Sequence, residues 1–411
     1  MKFAKKLSAI VLSAALLLTG CSSGGNQKES STEDKYTKMS YEEALKEAEG
    51  TTVTFYGWGG SDQTNNYIDK YIAPKLKKEH NITVKRVGMN IDEILNNLQN
   101  SVQANEEKGN IDVIWINGEN FYTAKENNLL FGPFTEKLPN FEKYVNGDAD
   151  DTKLDFGYPT DGYEAPFGKA QVVMEYNSDK VKPIKNADEL LKAAKANPGK
   201  FTYPALPDFT GSAFVRNIIY EKVGYDKLKD IDPTDEEAIK PAMDYLKELK
   251  PYLWKKGETY PTDSTQQDNM FADGSLYFNV SYNPNHASSL ISNGTYPEST
   301  KTCVFDKGTI GNTHFLAIAK NAPNKAGSMV VINEILGFES QMEKYKPEVW
   351  GDLPVLDNEK LSEEQKATLD SVEIGPATLL QSELLSKRQP ELPSAIVPVI
   401  EKIWTEEIPG K

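Results

Sequence analysis

Aromatic rings, carboxylates and small polar residues recur in this chain just past the ends of predicted strands, the positions from which side chains reach a ligand in open α/β sheets. Trp58, Gly59 and Ser61 follow the strand pattern TTVTFYG. The indole face suits a flat or cationic molecule, and the glycine permits close backbone approach. A tryptophan at a sheet edge also fits a core. Glu119 follows IDVIWING and offers a carboxylate to an amine or ring cation, or serves the positive end of the helix after it. Gly211 and Ser212, with Thr210, open a predicted helix, where free N–H groups hold an anion or a hydroxyl simply caps the turn, and Asp208 adds a carboxylate in the turn before it. Tyr282 and Asn283 close another strand. Tyr163 and Phe167 flank Pro166, as an aromatic wall or as packing. Asn312 and Thr313 lie in GTIGNTHF with His314, which an alternating strand turns as readily into packing.

This is binding chemistry without a catalytic constellation. No GxSxG nucleophile elbow is present, and the GSA of 211–213 lacks that spacing. His80, His286 and His314 are isolated in sequence and no HExxH occurs, so no metal site is read here. GWGGS lacks the full dinucleotide fingerprint, and no cofactor is expected. The formal net charge of -15 repels nucleic acid and, focused in a cleft, attracts a cation.

The elements that position these residues divide the chain. Residues 1–20 carry Lys2, Lys5 and Lys6 before a short apolar run, the pattern of a bacterial signal peptide. Its end, Leu18-Thr19-Gly20-Cys21, resembles a lipobox, so Cys21 is expected to carry acyl chains on the extracytoplasmic face of a membrane. Residues 21–39 read as the acylated cysteine and a disordered tether. Cys303, the other cysteine, reads as buried and inert. Ser40 and Glu43 form a capping box where the folded body begins. Strand patterns at 51–60, ending in a glycine-rich turn, at 82–88 and at 111–118, each followed by a helical pattern, predict a parallel sheet with helices on its faces. Residues 132–162 read as an irregular excursion. The stretch from Tyr163 to Ser178 and its partner at 308–325 read as strands crossing between two α/β lobes. The expected division is 40–172 for the first part of lobe 1, 173–314 for lobe 2, and 315–411 for the return to lobe 1 with C-terminal helices, part of which pack on lobe 2.

Several strings then carry a resemblance: WINGENF at 115–121, GYEAPFGKAQ at 162–171, FTYPALPDFTGSAFVRNIIYE at 201–221, LWKKGETYP at 253–261, SYNP at 281–284 and GTIGNTHF at 308–315. Together they resemble the extracellular solute-binding proteins of ABC importers, periplasmic binding protein type 2 class, and among them the YnjB group. The resemblance implies an α/β, two-lobed fold with crossing strands and a cleft between lobes. It implies a monomer without enzymatic activity that delivers a small-molecule solute to an ABC permease dimer with separate ATPase subunits. Mixed aromatic and carboxylate groups favour a small organic cation such as thiamine. A phosphorylated or other anionic solute is the alternative, with an extracellular hydrolase or a sensory or adhesion lipoprotein as more distant readings.

Overall fold

The computed structural model describes residues 32–228, 231–232 and 235–408; the leader and Cys21 lie outside them. In the first lobe β1 (Thr52–Gly57) is flanked by β2 (Thr83–Gly88) and β3 (Val113–Ile116), both parallel to it. Parallel neighbours require crossovers, which the helices Asp62–Asn66 and Ala73–His80, joined by a π-helical Tyr67–Ile72, and then Ile91–Gln103 provide. Ser61 caps the first of these through Thr64 N–H. Asn90 occupies the N-cap of the last without a side-chain hydrogen bond.

Two short pieces extend this region, β4 (Leu130–Phe131) and the hairpin of β5 (Leu154–Asp155) with β6 (Tyr158–Pro159). The excursion at 132–162 is therefore partly ordered into this hairpin and the short helices Pro139–Tyr144 and Asp150–Lys153. The tether differs from expectation at its end. Thr32–Lys38 is helical, held by the Tyr36 ring on Phe131 (6.3 Å) and by Tyr36 donating to Glu47 at 2.7 Å.

The outgoing crossing is two strands, not one. β7 (Glu164–Gln171) belongs to the first sheet and β8 (Val173–Asn177) to the second. Between them Val172 N–H donates to Ile310 O at 2.8 Å, so the chain changes sheets without losing a backbone bond. β8 lies between β9 (Phe278–Ser281) and β10 (Thr300–Cys303), antiparallel to both. β11 (Thr309–Ala319) returns, pairing antiparallel with β7 from Gln171↔Gly311 to Glu164↔Ala317 and also with β3 from Phe315↔Ile116 to Ile318↔Val113. β12 (Arg388–Gln389) adds to the edge of β11. The pattern at 201–203 is extended but forms no strand; Tyr277 and Trp254 donate to Lys200 O and Phe201 O, each at 2.8 Å.

Two apolar cores result. One holds Val53, Phe55, Ile114, Phe121 and Phe167 with Leu316 to Leu336; the other holds Met174, Phe201, Phe214, Val280 and Ile310 with Ile396 to Ile408. Trp404, on the last helix, donates to Tyr203 OH at 3.1 Å in the second core. Cys303 is buried there, and burial pushes its thiol up to about 11.

A buried charge cluster braces the crossing. Asp352 accepts from His314 Nε2 at 3.0 Å and from Lys344 Nζ, which also donates to Leu353 O at 3.0 Å. Gly168 packs directly against it: a Cβ there would lie 1.8 Å from Asp352 Oδ2 and 2.5 Å from His314 Nε2. Gly168→Ala therefore breaks a buried ionic contact, and urea denaturation should find it less stable by about 3 kcal/mol. An unchanged midpoint would mean that the cluster yields freely.

Candidate functional site

The C-terminal ends of β1, β2 and β3 place Trp58 to Ser61, Gly88 and Asn117 to Asn120 along one edge of the first sheet. From the second lobe the helix Phe209–Val223 brings Phe209 against Phe156 (6.4 Å) and Arg216 into the field of Glu119, with Tyr282, just past β9, packed on Phe209 (5.2 Å). That helix is buried from Gly211 to Glu221, so a charge on it must find its partner inside the protein. Arg216 does so. It grips Glu391 with Nε and Nη2 at 2.9 and 3.0 Å, and its Nη1 donates to Ser212 Oγ at 2.6 Å. Ser212 donates onward to Glu401 (2.9 Å), and Tyr282 OH to Glu391 (2.5 Å). The rings of Phe156 and Phe209 lie 5.3 and 5.7 Å from the guanidinium carbon. Burial opposes the charge on Arg216, but Glu391 outweighs it and raises the pKa.

Glu119, from the first lobe, enters the same field. Its Oε2 has no hydrogen-bond partner among the described residues, while Oε1 accepts from Asn120 at 3.2 Å. Burial pushes this carboxyl up to about 7; Arg216 opposes the rise, and Glu401 and Glu391 add to it. Behind it Asp155 accepts from Gly118 N–H, and neither oxygen of Glu164 has a partner among the described residues. Burial, then mutual repulsion between nearby carboxylates, holds both well above the usual range. One guanidinium thus faces Glu119, Glu391 and Glu401, and the region carries an excess of acid.

The strand-end residues fare differently from one another. Trp58 is 41% exposed, its ring over Gly60, where a Cβ would lie 2.3 Å away. Gly59 lets β1 approach β2 closely, a Cβ there meeting Gly88 Cα at 3.0 Å. Asp208 is an N-cap: it accepts from Gly211 N–H at 2.9 Å and Ser264 N–H at 3.2 Å, and burial pushes it up to about 6. Gly211 packs against Pro204, whose carbonyl oxygen would be 2.2 Å from a Cβ. Asn283 accepts from Asn285 N–H at 2.9 Å through its side chain. Asn312 and Thr313 are buried on β11 with unpartnered side-chain polar atoms among the described residues.

Tyr163 and Phe167 are both held by packing. Tyr163 stands at the end of β7 remote from the lobe crossing, packed on Gly132 with Lys125 Nζ 5.4 Å from its ring. Phe167 is wholly buried against Phe55, Trp115 and Trp350. Arg216, Glu391 and Glu401 were missing from the sequence reading, although an arginine inside the apolar run AFVRNIIY, four residues after Ser212, is the kind of signal that marks a buried ion pair. A groove of about 750 Å³ lined by Tyr71, Ser292, Met342 and Val372 shares no residue with this cluster. Space alone does not make it the site.

Comparison with known proteins places this arrangement. Protein YnjB of Escherichia coli (strain K12) is 37% identical over 342 residues, 80% of this chain and 86% of that protein. The periplasmic binding protein AfuA from Actinobacillus pleuropneumoniae, solved with fructose-6-phosphate, superposes with a TM-score of 0.62 at 14% identity, covering 87% of this chain and 98% of that one. A ferric binding protein from Campylobacter jejuni gives 0.59 at 15% identity, over 86% and 98%. The family model for bacterial extracellular solute-binding proteins matches residues 71–370. With two α/β lobes, two crossing strands and charged groups converging between the lobes, the chain belongs to the family of bacterial extracellular solute-binding proteins, a binding and not a catalytic class.

Proposed function

We propose that this protein is the lipid-anchored solute-binding component of an ABC importer, and that its solute is a small organic cation. Cys21 would carry the anchor, and the solute-loaded form would pass its cargo to a permease dimer driven by separate ATPase subunits. The observation that carries the solute class is Glu119, a buried carboxylate with one unpartnered oxygen in a field of excess acid. A cation placed against Oε2 supplies the missing partner, and the exposed face of Trp58 suits a flat or cationic ring. An anion would have to take Arg216 from Glu391 and leave that carboxylate buried without its partner, a costly exchange.

The test is calorimetric titration of the purified chain, unfolded and refolded first to strip carried-over solute, with thiamine, spermidine, thiamine phosphates and a sugar phosphate. Binding of a cation supports the proposal. Binding confined to the phosphate esters would replace it with the anionic reading. Glu119→Gln should weaken the cation about 10- to 100-fold with the fold intact, and Trp58→Ala about tenfold. Unchanged affinity in both would remove them from the site.

Proton linkage gives a second expectation. The cation competes with the proton on Glu119, so its affinity should fall about tenfold per unit as pH drops below about 7. The empty protein shows the opposite slope. Between the ordinary 4.5 and about 7 the folded state keeps a proton that the unfolded chain has shed, so stability falls as pH rises through that window. The loss attributable to Glu119 is about 3 kcal/mol in all. Asp208 contributes with the same sign below about 6, so the informative quantity is the difference between the native chain and Glu119→Gln across denaturation curves at several pH values. Parallel curves would show that Glu119 ionises freely.

A further inference from the structure

The second lobe contains another charged cluster, sharing no residue with the cleft. Glu175 lies in β8, with Asn279 opposite it on β9. Asp268 comes from the helix Ser264–Ala272, and His286 opens the helix His286–Ser292. The imidazole sits between the two carboxylates, Nδ1 2.9 Å from Glu175 Oε1 and Nε2 3.3 Å from Asp268 Oδ2. One donor atom from each of the three residues lies within 4.8 Å of the others, a spread that a single ion bonded at about 2.0–2.2 Å can gather with small side-chain movements.

Asn279 supplies an independent sign. It is wholly buried, and its Nδ2 faces Glu175 Oε2 (2.9 Å), Asp268 Oδ1 (2.8 Å) and Tyr296 OH (3.0 Å). That is three acceptors for two protons. Its Oδ1 meanwhile has no partner among the described residues. Turning the amide over aims Oδ1, an oxygen donor for a cation, at the same point. A second cluster, Glu79, His80 and Glu334, makes the contrast. There Lys75 already stands among the acids, 2.8 Å from Glu79 and 3.6 Å from Glu334. The ion pairs of Glu175 and Asp268 among the described residues are with His286.

We propose that Glu175, Asp268 and His286 bind a divalent first-row metal ion, zinc foremost, at a structural site inside the second lobe. One imidazole and two carboxylates form a borderline nitrogen and oxygen donor set that suits zinc. The metal takes the place of the proton held between the ring and the carboxylates, so uptake releases a proton to solvent. Asp268 and His286, 22% and 23% exposed at their side chains, leave an entry path. The bound ion ties both helices to β8 and β9 and fixes the turn that carries Tyr282 and Asn283. It lies within one lobe, so it is a resident ion and not the transported solute.

The purified chain, stripped with chelator and dialysed, would be titrated with zinc chloride and its metal content measured by mass spectrometry. We expect about one zinc per chain with proton release and, at saturation, a thermal midpoint raised by about 5 °C. His286→Gln and Asp268→Asn should each lose at least about 100-fold in affinity, whereas His80→Gln keeps it. Absence of stoichiometric uptake by the native chain overturns the proposal, as does uptake undiminished in His286→Gln. The native titration decides the matter even if a variant fails to fold.

Discussion

β7 and β11 hold each other along an antiparallel ladder that runs from Gln171↔Gly311 to Glu164↔Ala317, and both lobes take their positions from it. At one end β11 continues into the first sheet beside β3; at the other the chain leaves β7 for β8 and the second sheet. The backbone bonds of a buried segment must all be met, so the crossing cannot be a loose linker. The register shift between His314 and Phe315 lets His314 reach Asp352 while Phe315 stays in the core. Lys169 then bonds Leu353 O at 3.0 Å, drawing residues 351–353 against the ladder. Asn285, at the start of a second-lobe helix, donates to Gly351 O. Any rotation of one lobe against the other must work through these contacts.

Charge is distributed unevenly about this frame. Burying Arg216 is tolerable because Glu391 meets it with two hydrogen bonds and Tyr282 and Ser212 complete the shell. Such a pair is better understood as fixing geometry than as adding stability, since desolvation consumes most of the attraction. It fastens the segment at 388–391 to the helix Phe209–Val223. Glu119 has no comparable arrangement, and a carboxylate buried without a full shell takes up a proton. Glu119 is thus biased toward its neutral form, and the protein folds without the full cost of an unpaired charge.

Much of the frame was legible in the sequence because it is local. Strand-then-helix repeats, the capping box at Ser40 and the turns after Gly57, Ile116 and Ser281 depend on neighbours in the chain, and the structure has them. The two-lobed fold followed from the blocks of resemblance in order. Long-range pairs were not legible. Arg216 and Glu391 are 175 residues apart, and nothing in either segment names the other. Tyr163 and Phe167 illustrate a different limit: both flank Pro166 in sequence, but Tyr163 lies at the remote end of the ladder while Phe167, at the register shift opposite His314 and Phe315, is buried among Phe55, Trp115 and Trp350. Asp208 and Gly211 sit where a ligand-binding helix start was expected, yet one is occupied as a cap and the other is required by Pro204.

The same architecture encloses fructose-6-phosphate in one relative of this fold and is named for ferric ion in another, two cargoes of opposite charge. Solute choice therefore cannot reside in the sheets or in the crossing, which such proteins share. It must reside in side chains planted at strand ends and helix starts, where substitution leaves the cores untouched. In this chain that layer is acidic. The buried Arg216 guanidinium is already committed to Glu391, and the helix start at Asp208 is capped by the protein's own carboxylate. Both features are occupied from within, while Glu119 Oε2 has no partner among the described residues. On the proposed reading, an anionic solute would have to displace the Glu391 carboxylate already held by Arg216, whereas a cation would displace only a proton.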